Sequence, residues 1–224
     1  MNYFPLFLDL SERICLVVGG GRVACRKIKT LTSCGPAAIR VVDPYARADE
    51  VCARAGTEDI EFIEQVFTSD LLRGVSLAFA CTADKEENLR VFRACKKAGV
   101  PCNVATCEGG DMILPALFSR GDLNIAVSTS GASPALSRRV KEKLDHVFGP
   151  EYALLAELLR AIREPVLLQD RCQNENAEIF RRLVEDDVLK ALRDGDRQGL
   201  IRILEKELPA SMQAGIGDLV DALV

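Results

Sequence analysis

A parallel, doubly wound α/β sheet is the fold that the sequence predicts, on three observations. Ile14-Cys15-Leu16-Val17-Val18 is an apolar run of strand length that meets Gly19-Gly20-Gly21 and then an amphipathic stretch over 23–33, with Val23, Ala24, Ile28 and Leu31 at helical spacing. Ala38-Ile39-Arg40-Val41-Val42 and Val75-Ser76-Leu77-Ala78-Phe79-Ala80-Cys81 are further β-like runs, the second continuous enough to be buried on both faces. Helical stretches separate such runs at short intervals, the pattern of repeated βαβ units.

The glycine turn adds chemistry to the fold. Gly19, Gly21 and Ala24 fit the spacing G-x-G-x-x-G/A. In that pattern the first glycine makes a tight turn, the second lets backbone approach a pyrophosphate, and the third small residue lets helix and strand pack closely. This is the Rossmann-type arrangement, with the phosphates on the exposed N–H groups of the helix start. Asp43 ends the second run about 20 residues on, where a carboxylate reaches the ribose 2′-OH of NAD.

The other elements follow in order. Phe4, Leu6, Leu8 and Leu10 alternate as a short lead-in strand would. Pro44 stops the second strand, and 47–55 carries helix formers before Gly56. Glu61-Phe62-Ile63 reads as a short strand and 68–72 as a brief helix; 86–98 reads as a helix with Leu89, Val91, Phe92 and Cys95 inward, ending at Gly99, before a strand over 100–105. Right-handed crossovers place the loops after Val18, Val42, Cys81 and Ala105 on one sheet edge.

Near Met112 the pattern changes. Residues 113–118 and 123–128 read as two strands joined by Ser119-Arg120-Gly121-Asp122, a hairpin that a parallel sheet does not need. Ser128-Thr129-Ser130-Gly131-Ala132-Ser133-Pro134 follows, with Ser133 placed as an N-cap and Pro134 as first helical residue. The helix to Phe148 carries Leu136, Val140, Leu144 and Val147 as an inward stripe, with Arg138, Arg139, Lys141 and Lys143 opposite. From residue 151 the chain reads as helices over 151–164, 175–184, 188–193 and 197–208, broken at Pro165, Gly195 and Pro209. Residues 210–224 carry too little pattern to assign.

Bulk properties narrow the classes. The 224 residues carry a net charge of −4, which argues against non-specific nucleic-acid binding. No run approaches a membrane span or a signal peptide, so a cytoplasmic protein is expected. Nine cysteines without a C-x-x-C pair read as small buried hydrophobes in a reducing compartment, with Cys107 as a candidate reactive thiol. His146 is the single histidine and reads as a surface residue at a helix end, so no resident metal is expected.

With Phe4-Pro5-Leu6-Phe7, Gly19-Gly20-Gly21-Arg22-Val23-Ala24-Cys25-Arg26-Lys27, Asn103-Val104, the Pro115 hairpin and the stretch from Ser128 to Leu136 in hand, the chain resembles the precorrin-2 dehydrogenase / sirohydrochlorin ferrochelatase family, the N-terminal half of siroheme synthase. The resemblance implies an NAD-binding Rossmann domain over 1–112, a small α+β dimerisation segment over 113–149 in a homodimer, and a helical domain over 150–224. It implies oxidation of the tetrapyrrole precorrin-2 to sirohydrochlorin in siroheme biosynthesis, with Fe²⁺ insertion as a second activity in some members. NAD contacts carry over to Gly19, Gly20, Gly21, Arg22, Val23, Asp43, Pro44 and Thr82. Substrate contacts fall on Asn103, Ser128, Thr129 and Ser130, the last three before a helix start suited to carboxylates. Thr129 also corresponds to a place where the family sometimes carries a regulatory phosphorylation.

One departure matters. Thr106 stands where the family commonly has the aspartate given the general-base or metal-handling role. A neutral hydroxyl is a poor base, which leaves Glu108 and Asp111 as the nearest catalytic carboxylates, or as solvated loop residues. For the serine stretch, too, an anion site and a plain helix cap both stand. The drifted loop also leaves open a non-catalytic, NAD-binding regulatory dimer of the same fold. A short-chain alcohol dehydrogenase is excluded, because no tyrosine is followed four places on by lysine.

Overall fold

The computed structural model describes residues 3–57, 59–105, 110–169 and 172–223. The chain divides into two compact units, Met1–Leu114 and Pro115–Val224.

In the first unit, the order is β1 (Ile14–Val18), α1 (Arg22–Thr32), β2 (Ala38–Val42), α2 (Ala48–Ala55), β3 (Glu61–Ile63), a 3₁₀ turn (Ser69–Leu72), β4 (Val75–Ala80), α3 (Lys85–Ala98) and β5 (Cys102–Val104). All five strands are parallel, in the order β3-β2-β1-β4-β5. The expected doubly wound sheet is therefore present. Growth runs from β1 to β3 in one direction and from β4 to β5 in the other, so the loops after β1 and β4 diverge at the switch point. Alternation along β1 supplies both faces: Cys15 and Val17 pack with Ala24, Ile28, Val41, Val51 and Phe79, while Leu16 and Val18 pack with Ala78, Ala80, Val91 and Cys102. Each buried Val, Leu, Ile or Phe among them contributes roughly 1.5–3 kcal/mol.

The lead-in strand does not form. Residues 4–10 have no strand, and Phe4, Leu6 and Phe7 are exposed, while Leu10 alone is buried. Both sides of β1 are already paired, and the free sheet edges belong to β3 and β5. Leu10 instead ends the lead-in as a turn, its carbonyl accepting from the Arg13 and Ala37 amides.

The second unit begins with the expected antiparallel hairpin of β6 (Ala116–Arg120) and β7 (Leu123–Val127). α4 (Pro134–Val147) follows with Ser133 as its N-cap, the hydroxyl accepting from the Leu136 amide at 3.2 Å. Then come α5 (Glu151–Leu167), α6 (Gln173–Arg182), α7 (Asp186–Asp194), α8 (Arg197–Glu207), a 3₁₀ turn (Ala210–Gly215) and α9 (Ile216–Asp221). Leu158, Ile162, Val166, Leu183, Val188, Leu200, Leu204, Ile216 and Val220 form their shared core. No helix among the described residues is long and apolar enough to cross a membrane.

Three expectations change here. Pro165 does not break its helix: it sits in the last turn of α5, where buried Val166 holds the chain in place. The unpatterned tail forms α9, because Ile216 and Val220 at i, i+4 give just enough apolar surface to dock. The stripe on α4 is covered only in its middle within this chain. Val140 and Leu144 are half-buried, Leu136 is 53% and Val147 61% exposed, and Ser137 is the one buried residue of the helix, because a two-stranded hairpin is too narrow to cover the whole face. His146 is exposed in the last turn, as expected. The cysteines at 15, 25, 81, 95 and 102 are buried, but Cys34 and Cys172 are exposed; Cys107 lies outside the described residues.

Candidate functional site

The turn after β1 is shaped by steric need. Gly19 has φ +110°, and a Cβ there would sit 2.8 Å from the Cys81 carbonyl oxygen, so a side chain is excluded twice over. Its amide donates to the Val42 carbonyl, and the Cys81 amide donates to that of Val18, which ties the turn to both neighbouring strands. Gly20 is pressed on the loop after β2, where a Cβ would collide with that of Ala46. Gly21 differs. It is exposed, it is the N-cap of α1, and a Cβ there would meet nothing within 4 Å. The chain's own packing does not require that glycine.

The start of α1 also has no side-chain cap and no acid in its first turn. The Arg22 and Val23 amides, in the first turn, have no intrahelical partner, and the first bonded amide is that of Cys25, to the Gly21 carbonyl. A pyrophosphate satisfies such donors and complements the helix dipole, so the residues present fit a dinucleotide.

Asp43 sits at this turn with both oxygens engaged. Oδ2 accepts from the Gly20 amide at 2.6 Å, and Oδ1 accepts from the Tyr45 and Ala46 amides, each at 2.8 Å. The carboxylate therefore clamps the glycine turn to the loop that opens with Pro44. After β4, Thr82 is held by Asn88: its amide donates to Asn88 Oδ1 at 3.0 Å, and Asn88 Nδ2 donates back to the Thr82 carbonyl at 3.0 Å. Asn88 is fully buried in α3 and fixes the third loop of the carboxyl edge. Sequence reasoning passed over it; an amide on the buried face of an amphipathic helix was the signal. Burial also pushes the Cys81 thiol up to about 11, partly offset by Lys27 and Arg26, so it stays protonated at neutral pH.

Thr106 and Glu108 lie outside the described residues, but the two ends of their loop do not. Asn103 bridges Gly110 in antiparallel fashion, and the Asp111 amide donates to the Cys102 carbonyl at 3.1 Å. The Cys102 amide donates to Asp111 Oδ1 at 2.6 Å, and Asn103 Nδ2 donates to the Met112 carbonyl at 3.1 Å. Gly110 has φ +104°, and a Cβ there would sit 2.7 Å from the Cys102 carbonyl oxygen. Asp111 and Asn103 thus form a clasp that brings the loop ends together, each through one side-chain atom bonded to backbone.

In the second unit, the serine stretch is an internally bonded cap. Thr129 Oγ1 accepts from the Ser133 amide at 3.0 Å and donates to the Ser133 carbonyl at 3.1 Å, while Ser128 Oγ accepts from the Ser130 amide at 3.0 Å. Ser130 has φ +53°, the one non-glycine described residue in that region. Ser128 and Ser130 are exposed and Thr129 is half-buried.

Residues 6–116 match a family model described as putative NAD(P)-binding, and 120–146 match one described as the central part of a sirohaem biosynthesis protein. Siroheme synthase of Neisseria meningitidis serogroup C is 32% identical over 223 residues, which is 99% of this chain and 46% of that protein. The chain belongs to the siroheme synthase family, in its N-terminal half. The same family supplies siroheme synthase of Nitrosomonas eutropha, 36% identical over 183 residues, 80% of this chain and 38% of that one. The chain thus spans less than half the length of these curated relatives. A solved structure named SirC, precorrin-2 dehydrogenase, superposes with a TM-score of 0.69 at 28% identity, covering 91% of this chain and 100% of that chain.

Proposed function

We propose that the protein oxidises precorrin-2 to sirohydrochlorin in siroheme biosynthesis, with NAD⁺ as the hydride acceptor. One observation carries the reading: the uncapped start of α1 behind Gly21, at the switch point of a parallel sheet, in a chain that spans the whole length of a precorrin-2 dehydrogenase. Gly19, Gly20, Gly21, Arg22 and Val23 present backbone to the cofactor, and Pro44 and Thr82 bound its two sides. Asp43 holds the turn in shape, and its charge disfavours the 2′-phosphate of NADP. Bound NAD⁺ supplies the electron sink; the chain supplies position and takes up a proton.

With Thr106 at the family's aspartate position and Asp111 committed to the Cys102 amide, the proton falls to Glu108 or to water. Loss of one proton to water suffices for oxidation. Insertion of the substrate Fe²⁺ must strip two pyrrole protons, so chelation suffers more from the missing aspartate. Ser128, Thr129 and Ser130 meet substrate carboxylates at the start of α4. The segment 113–149 makes a homodimer through the exposed Leu136 and Val147 of α4, and it carries the helices of 150–224 within the same compact unit. The protein works in the cytoplasm.

The engaged Asp111 also favours a second reading, an NAD-binding regulatory dimer without turnover. Anaerobic precorrin-2 and NAD⁺, followed by NADH absorbance, separate the two. NADH above the enzyme-free rate supports the dehydrogenase; none, with NAD⁺ still bound, supports the regulator. Fe²⁺ added to sirohydrochlorin tests chelation apart.

A further inference from the structure

We infer that the flank of α1 and the last turn of α2 form a second site, for a small polyanion, outside the dinucleotide loop. Arg22, Arg26 and Lys29 fall at i, i+4 and i+7, so they share one side of α1 over about 10 Å. Arg54 of α2 joins them, and with Val23 and Cys25 they line a groove of about 580 Å³. Among the described residues no carboxylate lines it, and of the four cations Arg54 alone has an acidic partner there, the exposed Glu50 at 3.4 Å. The floor is fixed: Cys25 is buried, with its thiol directed to the carbonyls of Gly20 and Val51, which locks α1 against α2.

The helix dipole accounts for only half of this charge. Lys29 and Arg54 lie in last turns, where cations are favourable. Arg22 lies in the first turn, at the positive end, and repels Arg26 one turn on. In a chain of net charge −4, three cations without an acidic partner among the described residues and a weakly paired fourth around one groove are unfavourable until an anion enters.

The groove also has a direction. A crossover helix runs antiparallel to its strands, so the cations lead from Arg22 at the carboxyl edge back toward the opposite edge and away from the cofactor. A single phosphate reaches one pair of them. Occupying all four takes several acidic groups spread over about 10 Å. Guanidinium forks suit phosphate and carboxylate alike, and among the described residues no aromatic ring lines the groove to stack a base. The ligand is therefore an oligophosphate or a polycarboxylate.

Calorimetric titration of the whole chain saturated with NAD⁺ tests this, with tripolyphosphate in one arm and benzenehexacarboxylate in the other. One site per chain is expected, weakening as salt rises, and the tighter arm names the source. Arg26→Gln/Lys29→Gln and Arg54→Gln should each weaken it about tenfold or more while NAD⁺ affinity stays within about twofold. Circular dichroism shows whether the variants fold; a variant that does not is replaced by Arg26→Lys and Lys29→Met. The inference is overturned by silence in both arms, by unchanged affinity in the folded variants, or by complete loss of binding under NAD⁺.

Discussion

The Gly20 amide donates to Asp43 Oδ2 at 2.6 Å, so the glycine turn after β1 is held by the residue that ends β2. The other oxygen takes the Tyr45 and Ala46 amides. A carboxylate committed to three backbone donors shapes the cofactor turn before any cofactor arrives. Asp43→Ala should therefore weaken NAD and NADP together and cost about 1–3 kcal/mol of stability, since it strands partly buried amides. Asp43→Asn keeps one acceptor and loses the charge, so it should cost less and shift preference toward NADP. Thermal melts with paired dinucleotide titrations check this; an Asp43→Ala variant with wild-type melting contradicts the clamp.

Gly19 and Gly21 separate folding from binding. Gly19→Ala puts a methyl 2.8 Å from a carbonyl oxygen at φ +110°, so it should cost more than about 1–3 kcal/mol and lower expression. Gly21→Ala meets nothing in the chain and alters only an N-cap, at less than about 1 kcal/mol. Its methyl stands where the pyrophosphate approaches, so NAD⁺ affinity should fall about tenfold or more, or 1.4 kcal/mol. Calorimetry on both proteins decides; tight NAD⁺ binding by Gly21→Ala removes the phosphates from this turn.

Asp111 divides the base role from the clasp role. Asparagine keeps an acceptor for the Cys102 amide but has no proton affinity to offer, so Asp111→Asn should turn over within about threefold of wild type. Asp111→Ala leaves that amide unpaired and should melt earlier by about 1–3 kcal/mol. Stopped-flow NADH formation with precorrin-2 measures the first and calorimetric melting the second. A collapse of kcat in Asp111→Asn at wild-type stability returns the base role to Asp111.

The sheet was legible because β1 and β4 are buried on both faces and leave uninterrupted apolar runs, and because Gly56 and Gly99 end their helices in the left-handed conformation. The dinucleotide turn was legible because steric need leaves a fixed glycine spacing. Spacing does not report what else a side chain binds, so the hold of Asp43 on the Gly20, Tyr45 and Ala46 amides was not legible beside its expected ribose contact. Periodicity marks an apolar face without saying who covers it, which is why the stripe on α4 read as inward. Asn88 was missed because one buried amide makes no period.

Glu151 opens α5 almost fully buried, and Arg193 at the end of α7 donates to its Oε1 from Nη2 at 2.7 Å and from Nε at 3.2 Å. That hydrogen-bonded guanidinium holds the carboxyl below the ordinary glutamate value of 4.5, against the opposing effect of burial. Because the folded-state value is depressed, the stabilisation is complete above the unfolded value and fades as pH falls through the folded one. Arg193→Gln removes the partner and leaves a buried carboxylate poorly matched. Its melting temperature should lie below wild type at pH 7, and the gap should close as the pH drops below 4.5 and both proteins carry a neutral Glu151. Calorimetric melts from pH 7 to 3 follow the gap. A difference that stays constant over that range would assign the effect of Arg193 to packing of its aliphatic stem and not to its charge.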